Sequence, residues 1–269
     1  MKQAKDIERL DKVLANNGFG TRKDVRRLVR SGAVTVNGEV QLDFDSHVNI
    51  QCDVIAVDGE TVAVRRHVYL MMNKAAGTVC SLKGGAHDTV YDQLPAAYRG
   101  KFLGGEISAV GRLDVDTEGL LILTTDGVLN HQLTSPRQRV AKVYRVQLRD
   151  GVDEAGRSRY AGQLAAGMHI PPEGDAPEAD CLPAELAWGG DDRSCDLTVY
   201  EGKYHEVKRL FAALGNEVVH LKRIAVGTLS LDASLAPGEC RELTEAETAQ
   251  LRAAGENSAA AKEQKDDRH

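Results

Sequence analysis

The chain has 269 residues, 42% of them hydrophobic, enough for two compact domains. It shows no long apolar run and no basic-then-apolar leader, which argues against a membrane span or an export signal. Five scattered cysteines (Cys52, Cys80, Cys181, Cys195, Cys240) with no C-x-x-C argue against a disulfide framework or zinc ribbon, and for a reducing cytoplasm.

The net charge of −6 hides two opposed regions. Arg9–Arg30 carries seven Lys/Arg against Asp11 and Asp24, whereas Pro171–Asp196 carries eight Asp/Glu against Arg193. A polyanion can bind the first region while the second points elsewhere.

In chain order, "IERLDKVLANNG" predicts a helix with Ile7, Leu10, Val13 and Leu14 on one face, ending at Asn17-Gly18. "TRKDVRRLVRSG" opens with the capping-box pair Thr21 and Asp24 and buries Val25, Leu28 and Val29. Arg22, Arg26 and Arg30 are left on its wetter side. "AVTVNGEV" predicts a hairpin around a type I′ turn at Asn37-Gly38. Two helices, the second basic, then a small hairpin through about Val64 resemble the S4 RNA-binding module. That resemblance implies an RNA-binding domain over 1–64, with Arg22, Arg26 and Arg30 on phosphates; a solvated basic face is the plain alternative.

Residues 65–67 read as a linker. From 68 to 255, strands are predicted at "VYLMMNK", "GLLILTT", "KVYRVQL", "CDLTVYEG" and "EVVHLKRIAVGTLSL". Helices are predicted at "VLNHQLTS", "DEAGRSRYAGQLAAG", "HEVKRLFAALG" and "TEAETAQLRAAG". Strands outnumber helices without strict alternation, so the fold class is α+β with a mostly antiparallel sheet. From Glu256 to 269 the composition reads as a disordered tail.

"GRLDVDTEGL" places Asp114, Asp116 and Glu118 at alternate positions. A calcium loop would need a bidentate Glu at its twelfth position, where Thr125 stands, and a helix where a strand pattern follows. His205-Glu206 suggests a zincin helix, but H-E-x-x-H needs a second His where the chain has Arg209. No metal is expected.

Taken together, "GRLDVDTEGLLILTTDG", "KVYRV" and "EGKYHEVKRLFAALGNEVVHLKRIAVG" resemble the three motifs of RNA pseudouridine synthases. With an S4 module ahead of them, the arrangement is that of the RsuA/RluB/RluE/RluF branch. The resemblance implies that Asp114 is the essential carboxylate and Lys208 its basic partner. It implies that Tyr144 stacks on the target uracil and takes part in proton removal from C5, and that Arg112 helps extrude the nucleotide. Arg209 is a second basic residue toward the RNA, and Asp116 and Glu118 serve turn-making and hydrogen bonding rather than catalysis. A cofactor-free reaction is implied, with ribosomal RNA or an assembling subunit as partner, by a monomer with no membrane attachment. Tyr204-His205 and "LTSP" point to the 16S form, with a 23S enzyme and a non-enzymatic S4 protein as alternatives.

The chain departs from the pattern twice. Ala75 stands where proline is common, which puts the order of that loop in question, and Glu206 stands where Gln is common, which adds a negative charge.

Overall fold

Thr21 caps the second helix as its sequence predicts: its side chain accepts from Asp24 N, and the Asp24 carboxylate accepts from Thr21 N. In this computed structural model, which describes residues 6–64, 66–99, 101–103 and 105–266, that helix is α2 (Arg22–Arg30) and follows α1 (Leu10–Asn16). Asn37 and Gly38 have φ of 54° and 86°, the two positive values of a type I′ turn, between strands Val34–Val36 and Glu39–Val40. Leu10, Val13, Leu14, Val25, Val29, Val34 and Ile55 form the core of this unit. Burying each such side chain is worth about 1.5–3 kcal/mol.

Ile7 departs from expectation. It lies in a strand, Ile7–Arg9, paired antiparallel with His47–Asn49, and is 49% exposed. Pairing with the distant strand satisfies the backbone there, so the helix starts only at Leu10. Leu28 is half-buried rather than buried.

The unit boundaries also differ. One unit is Met1–Val68 with Gly100–Ile107, and the other is Tyr69–Arg99 with Ser108–His269. Leu103, 7% exposed, is part of the first unit's core. Within the expected linker, Arg65 lies outside the described residues, and the Arg66 guanidinium reaches Asp6 and Glu8, each at 3.5 Å. Arg66 therefore belongs to the first unit.

The second unit is built on a sheet whose main strands we label β1 (Tyr69–Lys74), β2 (Glu118–Thr124), β3 (Lys142–Leu148), β4 (Glu185–Trp188), β5 (Ser194–Val199), β6 (Val218–Val226) and β7 (Cys240–Glu242). Their spatial order is β4-β5-β3-β6-β2-β1-β7. Neighbours run antiparallel except β2 and β6, which are parallel. The run "LLILT" is buried throughout, which is why it reads as continuously apolar rather than alternating.

The parallel pair closes around Gly119, where φ is +101° and a Cβ would lie 2.2 Å from Arg223 O. Helices α3 (Gly127–Thr134), α4 (Glu154–Ala166), α5 (Glu206–Ala213) and α6 (Glu245–Asp266) complete the unit. One core gathers Leu164 of α4 and Leu210 and Phe211 of α5 with Val146 and Leu197; another gathers Leu129, Leu133 and Leu251 with Leu120 and Ile122.

The composition from Glu256 predicts a disordered tail, but the backbone continues α6 to Asp266. That stretch is rich in Ala, Glu, Lys and Gln, all strong helix formers. Residues 267–269 of the same expectation lie outside the described residues. Among the described residues, no helix is long and apolar enough to cross a membrane.

Candidate active site

The acidic turn ahead of β2 is held by its backbone. Lys74, at the end of β1 and 0% exposed, donates from Nζ to the carbonyls of Ala75 (3.1 Å), Val115 (3.3 Å) and Thr117 (2.8 Å). Burial pushes the Lys74 pKa down. Gly77 N also donates to Val115 O at 2.7 Å, and Leu113 N donates to Cys80 Sγ at 3.4 Å. Ala75 O accepts from Thr78 Oγ1 as well, at 2.9 Å. The loop lacking the family's proline is thus tied down by hydrogen bonds instead.

Opposite the turn, Lys208 of α5 places Nζ 2.6 Å from Asp116 Oδ1 and 3.4 Å from Asp114 Oδ2. Burial works to lower the Lys208 pKa. The hydrogen bond to Asp116 and the charges of Asp114 and Asp116 outweigh it, and the net direction is up. Burial likewise works to raise Asp116, but the Lys208 hydrogen bond and charge win and hold its carboxyl below the ordinary range. The structure therefore gives Lys208 two carboxylate partners, one of them Asp116 through the hydrogen bonding expected of it. Glu118 pairs with His220 at 3.2 Å.

Tyr144 lies on β3, opposite Leu197 of β5 and Arg223 of β6. The β3–β6 ladder slips between Val143 and Tyr144, a bulge of the kind that re-aims side chains beside active sites. Tyr144, Asp114, Arg112, Lys142, Tyr204 and Arg223 are among the residues lining one cleft of about 560 Å³, within the range of about 300–1,000 Å³ usual for small-ligand sites. The structure thus gathers Asp114, Tyr144 and Arg112 in this cleft, with Lys208 on Asp114.

Arg112 is exposed and makes no ion pair among the described residues. Lys142 carries no expectation from sequence. Burial, helped by the charge of Arg223, pushes its amine down to about 8, and Nζ donates to Val140 O at 3.2 Å.

Arg209 requires a correction. It is 4% exposed, and its guanidinium donates to the carbonyls of Pro171 (3.1 and 2.6 Å), Pro177 (2.6 Å) and Tyr204 (3.1 Å). It is a clamp on the acidic loop rather than a contact for RNA. On a helical wheel it lies off the apolar stripe, but the loop folds over it.

The acidic region does not simply point elsewhere either. Glu173 Oε1 lies 3.1 Å from His205 Nδ1, and His205 Nε2 lies 3.8 Å from Asp114 Oδ1.

Glu206 is 6% exposed, and burial pushes its carboxyl up to about 7, so near neutrality it is a partly protonated group rather than a full added charge. It accepts from Lys203 N at 2.9 Å. Glu206, Glu201 and Cys181 place ligand-type atoms within 4.8 Å of one another. Burial pushes the Cys181 thiol up to about 11, and Glu201 already accepts from Leu182 N and pairs with Lys203. A protonated thiol beside paired or protonated carboxyls is hydrogen-bonded packing rather than a prepared ligand set.

In the first unit, Arg22, Arg26 and Arg30 are all exposed on α2. Arg26 and Arg30 lie over the Phe44 ring, 4.8 and 4.9 Å from its centroid, and Arg26 is 3.7 Å from Asp11.

The cleft thus brings together a turn-borne aspartate facing a lysine and a tyrosine of the mixed sheet. The family described as RNA pseudouridylate synthase matches residues 68–213, and the S4 domain matches residues 8–51. The chain belongs to the RNA pseudouridylate synthase family.

Its relatives are similar over nearly their whole length. An RNA pseudouridine synthase of Bacillus subtilis is 42% identical, over 89% of this chain and 96% of the relative. The ribosomal small subunit pseudouridine synthases A of Vibrio vulnificus and Escherichia coli are 40% and 39% identical, over 89% and 90% of this chain and 97% and 99% of theirs. A crystal structure of a pseudouridylate synthase, 38% identical, covers 90% of this chain and 99% of that one with a TM-score of 0.60.

Proposed function

We propose that the chain isomerises one uridine of 16S ribosomal RNA, with Asp114 as the reacting carboxylate. The observation that carries the assignment is Asp114 at 3.4 Å from the Lys208 ammonium, in the cleft that Tyr144 lines. The relatives named for the small ribosomal subunit support the choice of RNA.

The reaction breaks the N1–C1′ bond, joins C5 to C1′, removes the C5 proton and returns a proton to N1. It needs a carboxylate that stays ionised and a base taken out of its stack. Lys208 places a cation 3.4 Å from that carboxylate. Tyr144 offers the flipped uracil an aromatic face and is the group for the C5 proton. Arg112, exposed beside Asp114, takes the place or the phosphate of the extruded nucleotide. Arg22, Arg26 and Arg30 bind phosphates and so position the RNA without reading its sequence.

The test is to map pseudouridine in 16S and 23S rRNA from a strain lacking the gene, and again with the gene restored. Loss and recovery of one site in 16S rRNA is the expected result. A lost site in 23S rRNA would move the enzyme to the large subunit.

A further inference from the structure

We propose that His205, held by Glu173 of the acidic loop, is a positioning residue that braces the Asp114 carboxylate. The inference rests on Asp114 being the reacting carboxylate.

Three observations carry it. First, the imidazole stands between two carboxylates, 3.1 Å from Glu173 Oε1 through Nδ1 and 3.8 Å from Asp114 Oδ1 through Nε2. At 3.8 Å the second contact is longer than a hydrogen bond and is electrostatic in kind.

Second, the backbone at His205 is left-handed, with φ 47° and ψ 31°. A residue with a β-carbon adopts that region only where its surroundings enforce it. Here Arg209 holds the carbonyl of Tyr204 and Glu206 holds the amide of Lys203, one and two residues before His205. The Tyr204 ring stacks on the imidazole at 3.8 Å.

Third, Glu173 is placed by its backbone. Glu173 and Ala176 exchange two hydrogen bonds (3.0 and 2.9 Å), and Arg209 grips the loop at the carbonyls of Pro171 and Pro177. The acidic segment, at first sight out of place in an RNA enzyme, thus contributes one carboxylate to orient the imidazole ring. Of the two Asp114 oxygens, Lys208 lies nearest Oδ2 and His205 nearest Oδ1.

The experiment measures kcat and KM of the full-length protein on the ribosomal RNA, naked or partly assembled, in which the wild type forms pseudouridine. His205→Ala is expected to lower kcat by about 10–100-fold with KM within about twofold, since the ring acts on the carboxylate and not on the RNA. Glu173→Gln, a change at a half-exposed position that leaves the core intact, should lower kcat by about tenfold. Adding it to His205→Ala should cost nothing more, because Glu173 acts through the ring. His205→Arg, which restores nitrogen donors beside Asp114, should recover most of the lost kcat.

The proposal is overturned if Glu173→Gln turns over at the wild-type rate, if the two losses multiply, or if His205→Arg is as slow as His205→Ala. An active Asp114→Asn control would instead remove the assignment on which the inference rests.

Discussion

Helices α2 and α5 both carry basic residues at helical spacing, and their surroundings give those residues opposite jobs. On α2 the guanidinium groups of Arg22, Arg26 and Arg30 stand in water, two of them resting on Phe44. On α5, Lys208 meets two carboxylates and Arg209 is buried against three carbonyl groups. A cation whose donors are already taken cannot also neutralise a phosphate. The pattern of Lys and Arg along a helix announces charge; partners and burial decide whether that charge binds a substrate or shapes a site.

The widest separation of the two roles comes from Asp114→Asn, which should abolish pseudouridine formation by about a thousandfold or more while RNA affinity stays near wild type. Product formation within tenfold of wild type would end the assignment. Lys208→Met should cut single-turnover rate by about 100–1,000-fold with little change in affinity. If only the salt dependence of binding moved, Lys208 would belong with the α2 arginines.

Arg209→Met tests the clamp and should destabilise the protein by about 2–3 kcal/mol, since hydrogen bonds from a charged group are lost inside. In thermal unfolding that is a Tm lower by roughly 4–12 °C. Limited proteolysis should also cut earlier within residues 171–178. An unchanged Tm would mean that the loop holds itself.

Glu206 gives a pH test on the same helix. Its carboxyl is raised from 4.5 to about 7 on folding. The native state therefore binds a proton that the unfolded state has lost between those values, and stability falls as pH rises through that window. Glu206→Gln should be more stable than wild type by roughly 3 kcal/mol at pH 8 and no different at pH 4, read by denaturant unfolding at both. Equal stability at pH 8 would show Glu206 already ionised without penalty.

The smallest effect belongs to α2. Arg22, Arg26 and Arg30 changed together to Ala should flatten log K against log[salt] by about two to three units, with turnover at saturating RNA nearly unchanged. A normal slope would leave the α2 face as mere solvated charge.

Features set by a few adjacent residues are legible in the sequence itself. The Thr21–Asp24 box and the Asn37-Gly38 turn both follow from short-range spacing, and both are present in the fold. Asp114, Tyr144 and Lys208 are singled out by family resemblance, and they converge in space.

What a linear reading misses depends on partners far along the chain. Lys74 looks like an ordinary strand-end lysine, and its function emerges only when the 115–117 carbonyls arrive over it. Arg209 reads as a wet residue until the acidic loop covers it, and Glu173 reads as one acid among many until His205 is beside it. Ile7 fits a helical stripe, but a strand forty residues on recruits it first.

The place of Leu103 has a consequence for how the protein is made. The first unit's helices and hairpin leave the ribosome well before the residue that completes their core. At about 5–20 residues per second, roughly 2–8 seconds separate Val64 from Leu103. For that interval the nascent chain carries an incompletely covered apolar surface, and a fragment ended near Val64 would carry it permanently. A chaperone scanning emerging chains for such patches would meet this one early, while the catalytic sheet is still unsynthesised.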